Sequence, residues 1–386
     1  MKNLPIVAGN RLVLLKNGME FFPALEAAIA EAQQEIRIET YIFQNDATGT
    51  RIANALIDAA WRGVRVFVLV DGVGSRLTPL SFFKRLRDAG VTVLVYRPEL
   101  QFFNLNKSRF RRVHRKIILV DGRLGFVGGI NLIDDMTDSL STHPRYDYAV
   151  QIEGPLLKHI YAAVLRLWRP VAWWHFGHRR QDDEPLSVGT TPIGRMRARF
   201  VARDNLRHRR DIENAYLQAI RQAKAEIIIV NAYFLPGRRL RQALMAAARR
   251  GVTVTLLLQG RADHPLLQMA TRALYAQLLG AGVAIYEYQK SMLHSKVAVI
   301  DRRWATVGSS NLDPFSLLLN REANVIVLEP AFAKKLRASI MKEISSGAVK
   351  HHPDGWQNRS TCQRAQSWLA YSFARMVAGW IGVRSD

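Results

Sequence analysis

Apolar residues along the chain follow two alternating patterns, one with helical spacing and one of short continuous runs. Residues 22–34 and 52–61 carry apolar side chains at helical spacing, which predicts amphipathic helices. Residues 36–43, 64–70 and 91–96 are short runs rich in β-branched side chains, which predicts buried strands. This alternation predicts an α/β fold in which helices flank a mixed, largely parallel sheet.

The whole pattern occurs twice, at a separation too long for a solenoid repeat. A strand that opens at Glu35 is matched 191 residues later by one that opens at Glu226, and Tyr41 is matched by Tyr233. Two further matches have offsets of 188 and 192: residues 62–64 with 250–252, and residues 89–91 with 281–283. The repeat predicts two homologous halves, packed as a pseudo-twofold pair.

A change in composition between the two halves predicts where the domains meet. Residues 177–194 contain acidic, amide, proline and glycine residues in place of an apolar pattern, as linkers do. We therefore place the first domain at residues 1–185, the second at residues 186–350, and a C-terminal segment at residues 351–386.

A pattern of histidine, lysine and aspartate occurs once in each half, with identical spacing. The two copies are His114, Lys116 and Asp121, and His294, Lys296 and Asp301. The composition predicts about 0.02 chance occurrences of this pattern per chain, so two copies are not a coincidence. A Gly-Gly/Ser-x-Asn segment begins seven residues after each aspartate and adds four candidate residues: Gly129, Asn131, Ser309 and Asn311.

The spacing of the motif has a chemical consequence, because residues i and i+2 of a strand point to the same side. Two such strands that face each other would bring two imidazoles and two ammonium groups to one shared active site. A phosphodiester fits this site, since one imidazole can attack phosphorus while the other protonates the leaving alkoxide. We predict that the lysines bind the phosphate oxygens without a metal or a cofactor, assisted by Asn131, Asn311, Gly129 and Ser309.

The carboxylates of the motifs and of their surroundings divide into two groups. Asp121 and Asp301 complete the catalytic motif, but each lies seven residues from its histidine, on the opposite face of a regular strand. We predict that they hold the turn that follows. Asp147 and Glu322 each lie in the strand after their motif, and we predict that they orient the imidazoles by accepting the Nδ1 proton.

The paired motifs resemble those of the phospholipase D superfamily, and the resemblance covers nearly the whole chain. Segments 128–131, 152–155, 308–313 and 319–322 are similar to those of bacterial cardiolipin synthases. The resemblance implies transfer of a phosphatidyl group from one phosphatidylglycerol to another with release of glycerol, through a phosphohistidine and without metal. The pseudo-symmetry leaves the identity of the nucleophile open. The resemblance favours His114, with Asp147 available to orient it.

Composition changes the picture of what the protein contacts. With 55 Lys+Arg against 32 Asp+Glu, the net charge is +23, which indicates a polyanionic partner: nucleic acid or an anionic membrane surface. The single cysteine, Cys362, excludes a disulfide within the chain and a cysteine-rich zinc site. No stretch reaches the roughly 20 apolar residues that a spanning helix needs. Composition therefore predicts no transmembrane span, and the resemblance to bacterial cardiolipin synthases implies a peripheral protein of the bacterial inner membrane.

Three segments suit contact with a membrane surface. Trp168, Trp173 and Trp174 lie among basic residues, and residues 101–112 interleave phenylalanine with lysine and arginine. Residues 368–383 predict an amphipathic helix with one apolar face: Leu369, Phe373, Met376, Val377, Trp380 and Ile381. Ordinary packing is the alternative explanation for the tryptophan segment and for the terminal helix.

Three functions compete at this point. A phosphatidyltransferase that uses phosphatidylglycerol at a membrane surface fits the apolar C-terminal segment best. A phosphodiesterase or nuclease of the same superfamily, acting on another lipid or on nucleic acid, also suits the charge, but a nuclease has little use for that segment. A basic membrane adaptor with decayed sites is disfavoured by two intact His/Lys pairs. No motif determines the second lipid or alcohol, or the oligomeric state.

Overall fold

The structure of the chain is a computed structural model that describes residues 5–98, 111–136, 143–177, 184–204, 208–261, 264–357 and 361–380. The strands in these ranges are β1 (Val7–Lys16), β2 (Glu35–Thr40), β3 (Arg65–Asp71), β4 (Thr92–Tyr96), β5 (Lys116–Val120), β6 (Leu124–Gly128), β7 (Tyr148–Glu153), β8 (Met196–Arg203), β9 (Glu226–Asn231), β10 (Thr253–Gln259), β11 (Ala284–Tyr288), β12 (Lys296–Ile300), β13 (Trp304–Gly308), β14 (Glu322–Val327) and β15 (Ala348–His351). The helices are α1 (Asn17–Ala30), α2 (Ala47–Trp61), α3 (Leu80–Asp88), α4 (Leu157–Phe176), α5 (Asp211–Gln222), α6 (Arg238–Arg249), α7 (Pro265–Arg272), α8 (Tyr275–Gly280), α9 (Pro314–Leu318), α10 (Pro330–Gly347), α11 (Pro353–Gln357) and α12 (Thr361–Trp380).

The strands of the two halves follow the same order outward from the middle of the molecule. The first half has the order β1-β7-β6-β5-β2-β3-β4, and the second has β8-β14-β13-β12-β9-β10-β11 with β15 at its edge. β1 and β8 join the halves as an antiparallel pair, with Val7 opposite Ala198 and Asn10 opposite Met196. Antiparallel pairing of equivalent strands is the arrangement that a twofold axis between them produces. The predicted α/β fold of two homologous halves is confirmed.

Each half has a mixed sheet, as predicted, but the expectation of a largely parallel sheet is wrong. Among the described strands, only β2-β3-β4 and β9-β10-β11 run parallel. The three residues 121–123 join β5 to β6, and so short a connection makes neighbouring strands antiparallel. Parallel pairs need a crossover, and the segments from which the prediction was made contain the crossover helix α2 and strands of the parallel part of the sheet. The other neighbouring strands in each half pair antiparallel, and two of these pairs, β5-β6 and β12-β13, are joined by three-residue turns.

The central strands are apolar on both faces because they separate two cores. Ile117 of β5 and Val297 of β12 belong to one buried cluster that contains residues of both halves. The next residue along each strand, Ile118 or Ala298, lies instead in a cluster with the helices of its own half. A strand that is covered on both faces has a continuous apolar sequence, which is the pattern seen here. The two halves therefore share a core, and β5 and β12 lie against it.

Helix α12 packs against α7 and α9. Ala370, Tyr371 and Ala374 are buried, whereas Leu369 and Met376 are 70% and 62% exposed. The helix is thus attached to the fold and presents large apolar side chains outward. Ile381 and residues 101–110 of the predicted membrane segments lie outside the described residues. In the described part of the chain, no helix has both the length and the apolar character required to cross a bilayer.

The tryptophans of α4 divide between the core and the surface. Trp168 is buried, with its ring centroid 5.3 Å from that of Phe67. Trp173 and Trp174 are 57% and 83% exposed. Ordinary packing therefore accounts for the first of the three, and the other two are available for contact with another molecule.

Candidate active site

The two motifs meet where backbone hydrogen bonds join the halves. Two short parallel bridges connect the halves, each beside a motif histidine. The His114 amide donates to the Arg321 carbonyl at 3.0 Å, and the His294 amide donates to the Tyr146 carbonyl at 2.9 Å. The backbone of each half thus positions the histidine of the other.

A carboxylate from the opposite half holds each imidazole. His114 Nδ1 lies 3.0 Å from Oε1 of Glu322, and His294 Nδ1 lies 2.6 Å from Oδ2 of Asp147. The prediction that Asp147 orients His114 is therefore wrong. Each carboxylate stands one residue after the carbonyl that binds the other half's histidine, so it reaches across the interface. A carboxylate at Nδ1 keeps the proton there and leaves Nε2 as the reactive nitrogen.

Gly129 and Ser309 were predicted to contact the phosphate. They lie instead behind these two carboxylates. Ser309 is fully buried, and its hydroxyl donates to Oε2 of Glu322 at 2.5 Å. A Cβ atom on Gly129 would lie 2.3 Å from Oδ1 of Asp147, so only glycine leaves room for that carboxylate. The two equivalent positions thus serve the carboxylates differently. Ser309 donates a hydrogen bond to Glu322, and Gly129 leaves room for Asp147.

The two lysines are buried next to their histidines. Lys116 Nζ donates to the His114 carbonyl at 2.6 Å, and Lys296 Nζ donates to the His294 carbonyl. Burial lowers the pKa of Lys116 to about 7, with repulsion from Lys296 adding to the effect and attraction to Glu322 opposing it. An ammonium group has three donors, so a single bond to a carbonyl leaves Lys116 able to bind an anion.

Burial also disfavours the charged form of both histidines. It lowers the pKa of His114, although the neighbouring Glu322 opposes the shift. It lowers the pKa of His294 further, because the positive charge of Lys296 acts in the same direction. Both imidazoles are therefore neutral in the empty cleft at neutral pH, which is the form that a nucleophile needs.

The two carboxylates differ in charge although they occupy equivalent positions. Burial raises the pKa of Asp147 to about 7, against the attraction of Lys296. Burial acts on Glu322 in the same direction, but His114 and the Ser309 hydroxyl outweigh it, and the pKa of Glu322 is lowered. Glu322 therefore remains ionised at neutral pH, whereas Asp147 titrates near it.

A cleft of about 440 Å³ opens beside both histidines. Asn131 Oδ1 accepts from the Ile42 amide at 3.2 Å, and Asn311 Oδ1 accepts from the Tyr233 amide at 3.4 Å. These bonds leave the side-chain NH₂ group of each asparagine as a donor. The polar lining of the cleft includes His114, His294, Asn131, Asn311, Arg145 and His264.

Tyr41 and Tyr233 also line the cleft and are missing from the predicted set. The Tyr41 ring meets the His114 ring edge-on with centroids 4.9 Å apart, and Lys116 Nζ lies 5.4 Å from the Tyr41 centroid. The sequence contained a signal for them, because the two tyrosines are matched by the internal repeat. The internal repeat gave no comparable signal for Arg145 or His264, which also line the cleft.

Asp121 and Asp301 lie at the far ends of β5 and β12, away from the cleft. Each has a positive φ, +51° and +50°, which places it in the left-handed region at the start of a turn. The carboxylate of Asp121 accepts hydrogen bonds from three consecutive amides, those of Gln33, Gln34 and Glu35. Asp301 does the same with the amides of Lys224, Ala225 and Glu226. Both aspartates connect the turn to the loop that precedes the neighbouring strand.

The imidazoles and the amide donors of both halves thus line one cleft, and the two lysines are buried next to the histidines. Such a set can bind a tetrahedral anion, attack its central atom and protonate a leaving group. Among the described residues, no group of three or more His, Cys, Asp or Glu side chains is arranged to hold a metal ion.

Comparison with known proteins gives matches in both halves. The family model described as cardiolipin synthase, PLD-like domain, matches residues 25–168 and 216–344. Cardiolipin synthase B of Salmonella typhimurium is 41% identical over 380 residues, which are 97% of this chain and 90% of that protein. Cardiolipin synthase B of Escherichia coli is 39% identical over the same shares. Cardiolipin synthase A of Pseudomonas putida is 33% identical over 337 residues, which are 86% of this chain and 68% of that protein.

Two solved structures share the fold at low sequence identity. The crystal structure of phosphatidylserine synthase from Haemophilus influenzae has a TM-score of 0.72 at 14% identity and covers 100% of this chain and 98% of that one. Polyphosphate kinase from Porphyromonas gingivalis has a TM-score of 0.60 at 15% identity and covers 96% and 53%. Together with the relatives above, these matches show that the chain is a phospholipase D-type enzyme and belongs to the cardiolipin synthase family of PLD-like proteins.

Proposed function

We propose that the chain is a phosphatidyltransferase that makes cardiolipin from two phosphatidylglycerol molecules and releases glycerol, through a covalent phosphatidyl-histidine. The observation that carries this proposal is the pair of imidazoles in one cleft, each with Nδ1 on a carboxylate of the other half. The names of the relatives, cardiolipin synthases A and B, supply the product.

In the first step, His114 Nε2 attacks the phosphorus of one phosphatidylglycerol, and the bond from phosphorus to the headgroup glycerol oxygen breaks. A phosphodiester anion in the cleft favours the imidazolium form of His294, which gives its Nε2 proton to the departing oxygen. Positive charge and amide donors stabilise the equatorial oxygens in the transition state. They come from Lys116, Lys296, Asn131 and Asn311.

In the second step, the headgroup of another phosphatidylglycerol takes the place of glycerol. Neutral His294 accepts the proton of its terminal hydroxyl, and the hydroxyl oxygen attacks the phosphohistidine. The bond from phosphorus to His114 Nε2 breaks, which releases cardiolipin and returns both histidines to their starting forms. Water in the same position would give phosphatidic acid, so the acceptor has to exclude water from the cleft.

The unequal carboxylates support His114 as the nucleophile. Glu322 keeps its charge at neutral pH, and a charged acceptor at Nδ1 makes Nε2 more nucleophilic. Asp147, the partner of His294, holds its charge less firmly, because burial raises its pKa to about 7. Rapid quenching with labelled phosphatidylglycerol, followed by peptide mass spectrometry, should find the adduct on His114. An adduct on His294 would reverse the two roles.

We further propose that the enzyme works as a peripheral protein at the bacterial inner membrane. The net charge of +23 favours an anionic surface, and the exposed Trp174, Leu369 and Met376 supply apolar contacts. The phosphatidylglycerol substrate is itself anionic, so the surface and the substrate attract the protein in the same way.

Product analysis tests the proposed reaction. Purified enzyme on phosphatidylglycerol vesicles should release cardiolipin and glycerol in equal amounts, measured by lipid mass spectrometry and a glycerol assay. His114→Ala and His294→Ala should each abolish turnover, whereas His159→Ala, at an exposed position outside the cleft, should not. Activity should also survive EDTA. Cleavage of duplex DNA with no lipid product would replace this function with the nuclease alternative.

A further inference from the structure

A second cavity, of about 570 Å³, lies between the end of β4 and helix α4 of the first half and Arg321 of the second half. Arg97, Arg166 and Arg321 form its cationic part, and none of the described residues that line it is acidic. Its other wall is apolar and includes Leu167, Val171 and Trp174. A cavity of this size is within the range of small-molecule sites, and its lining is amphipathic.

No carboxylate in the described part of the chain forms an ion pair with the three arginines of the cavity. Arg321 Nε is buried and, among the described residues, has no hydrogen-bond partner. Arg166 is exposed and makes no ion pair with the described part of the chain. Burial lowers the pKa of Arg97, and the nearby positive charge of Arg321 and Arg112 lowers it further. Buried Glu39, which pairs with Arg115, also attracts Arg321, but no described carboxylate pairs with any of the three guanidinium groups. Together they form a site for an anion from outside the chain.

The backbone at Arg97 is held in an uncommon conformation. Its φ is +50°, in the left-handed region that non-glycine residues rarely adopt. Arg112 fixes this conformation by donating from Nη2 to the Arg97 carbonyl at 3.0 Å, and Asp71 holds Arg112 in a buried ion pair at 2.7 Å. A strained backbone that persists because buried contacts determine it is characteristic of binding sites.

The apolar wall continues to the protein surface through α4. Leu167 is buried, Val171 is partly buried, and Trp174 stands 83% exposed, with Trp173 beside it. Side chains on this part of α4 thus pass from buried to exposed within two helical turns. Indole rings at such a boundary suit the interface between lipid headgroups and acyl chains.

We propose that this cavity binds an anionic phospholipid, with the phosphate at the three arginines and one acyl chain along the apolar wall. The site borders the catalytic cleft, since Arg321 directly precedes Glu322, but it contains neither catalytic histidine. A lipid bound here is held and not transferred. The inference rests on the proposed function only in that it requires an enzyme that works on a lipid surface.

Photo-labelling tests the site directly. Full-length His114→Ala protein, which cannot turn the probe over, is mixed with vesicles of phosphatidylglycerol that carry a diazirine on one acyl chain. After irradiation, peptide mass spectrometry should find adducts on α4, at residues 167–174. Adducts confined to residues that line the histidine cleft, or no adducts at all, would overturn the proposal.

Matched variants separate the cavity from general surface effects. Arg166→Gln should reduce labelling of α4 about fivefold, the usual effect of one basic residue near anionic lipid, and Arg166→Lys should restore most of it. Arg249→Gln removes the same charge from an exposed position on α6 and should change nothing. Likewise Trp174→Ala should reduce labelling, whereas Trp61→Ala, which removes another exposed tryptophan, should not. Equal losses in the paired variants would contradict a defined site.

Competition distinguishes a lipid site from a site for free phosphate. Excess short-chain phosphatidylglycerol should abolish labelling of α4, and inorganic phosphate at the same concentration should not. Complete protection by inorganic phosphate alone would make this a free-anion site and overturn the proposal.

A separate assay tests the proposed function independently of the lipid site. It measures the rate at which Arg166→Gln forms cardiolipin in mixed micelles. We expect its kcat to remain within about twofold of the unsubstituted enzyme, because the histidine cleft is unchanged, while KM on vesicles rises. Labelling can fail in an enzyme that still makes cardiolipin, and it can succeed in one that makes another product.

Discussion

The ammonium group of Lys116 must be charged to bind a phosphate oxygen, and burial opposes that charge. Its pKa of about 7 means that the charged form is lost as the pH rises through 7. We therefore expect kcat/KM, which reports the free enzyme, to fall above about pH 7. kcat should persist to a higher pH, because a bound phosphate anion favours the ammonium form. The pH profiles of both constants in mixed micelles check this, and a common midpoint would contradict it.

Gly129 allows a test of carboxylate placement by a single added carbon. In Gly129→Ala the new Cβ would lie 2.3 Å from the Asp147 carboxylate, which would have to move away from His294. Loss of such an orienting contact usually costs about 10- to 100-fold, and we expect a fall in kcat of that size. Gly280→Ala is the matched control, since no atom lies within 4 Å of its added Cβ. Steady-state kinetics measure the fall in kcat, and thermal melts show whether the variant is folded. Full activity of Gly129→Ala would refute the role of Gly129 in placing the Asp147 carboxylate.

Motif spacing was sufficient to predict that His114 and His294 share one cleft with Asn131 and Asn311. It could not pair the imidazoles with their carboxylates, because that pairing depends on which backbone segments of the two halves touch. Those contacts join residues about 150 to 200 positions apart and leave no local signature. Ser309 and Glu322 are only 13 positions apart, but their contact depends on the pairing of β13 with β14, which motif spacing does not give.

At the scale of elements, α12 has two faces with different expected functions. Leu369 and Met376 are exposed, and transfer of each into lipid is worth roughly 1.5–3 kcal/mol when complete. Replacing both with glutamine should weaken binding to vesicles at least about tenfold and leave the melting temperature unchanged. Vesicle sedimentation and thermal unfolding measure the two effects.

Two further variants serve as controls for α12. Leu77 and Leu80 are also exposed, and their double replacement by glutamine should leave vesicle binding unchanged. Tyr371→Ala removes a buried ring and should instead lower the melting temperature by several degrees. Equal loss of vesicle binding in both glutamine pairs would remove the special role of α12.

Strand positions were more predictable from the sequence than strand directions. Apolar runs such as residues 64–70 identify a buried strand by composition alone. Strand direction depends on the connection, and the turns at 121–123 and 301–303 are too short for the crossover that parallel neighbours need. The helix between β2 and β3 suggested parallel pairing for the whole sheet, although it covers only one edge of it.

At the scale of the whole molecule, the net charge of +23 should control attraction to the membrane. The screening length falls from about 10 Å at 0.1 M salt to about 3 Å at 1 M. We expect binding to phosphatidylglycerol vesicles to fall at least about tenfold over this range, because several basic residues contribute. Binding to zwitterionic vesicles should be weak and depend little on salt. Salt-insensitive binding to the anionic vesicles would argue against attraction by net charge.

Two identical chains that meet across a true twofold axis make every off-axis contact twice, once between residues i and j and once between j and i, so the two sites they form are the same. Here the halves belong to one polypeptide, and they have diverged where it matters for the histidines: Gly129 corresponds to Ser309, and Asp147 corresponds to Glu322. The fusion therefore allows one imidazole to specialise in attack and the other in proton transfer. An assembly of identical subunits could acquire that division of labour only by breaking its own symmetry.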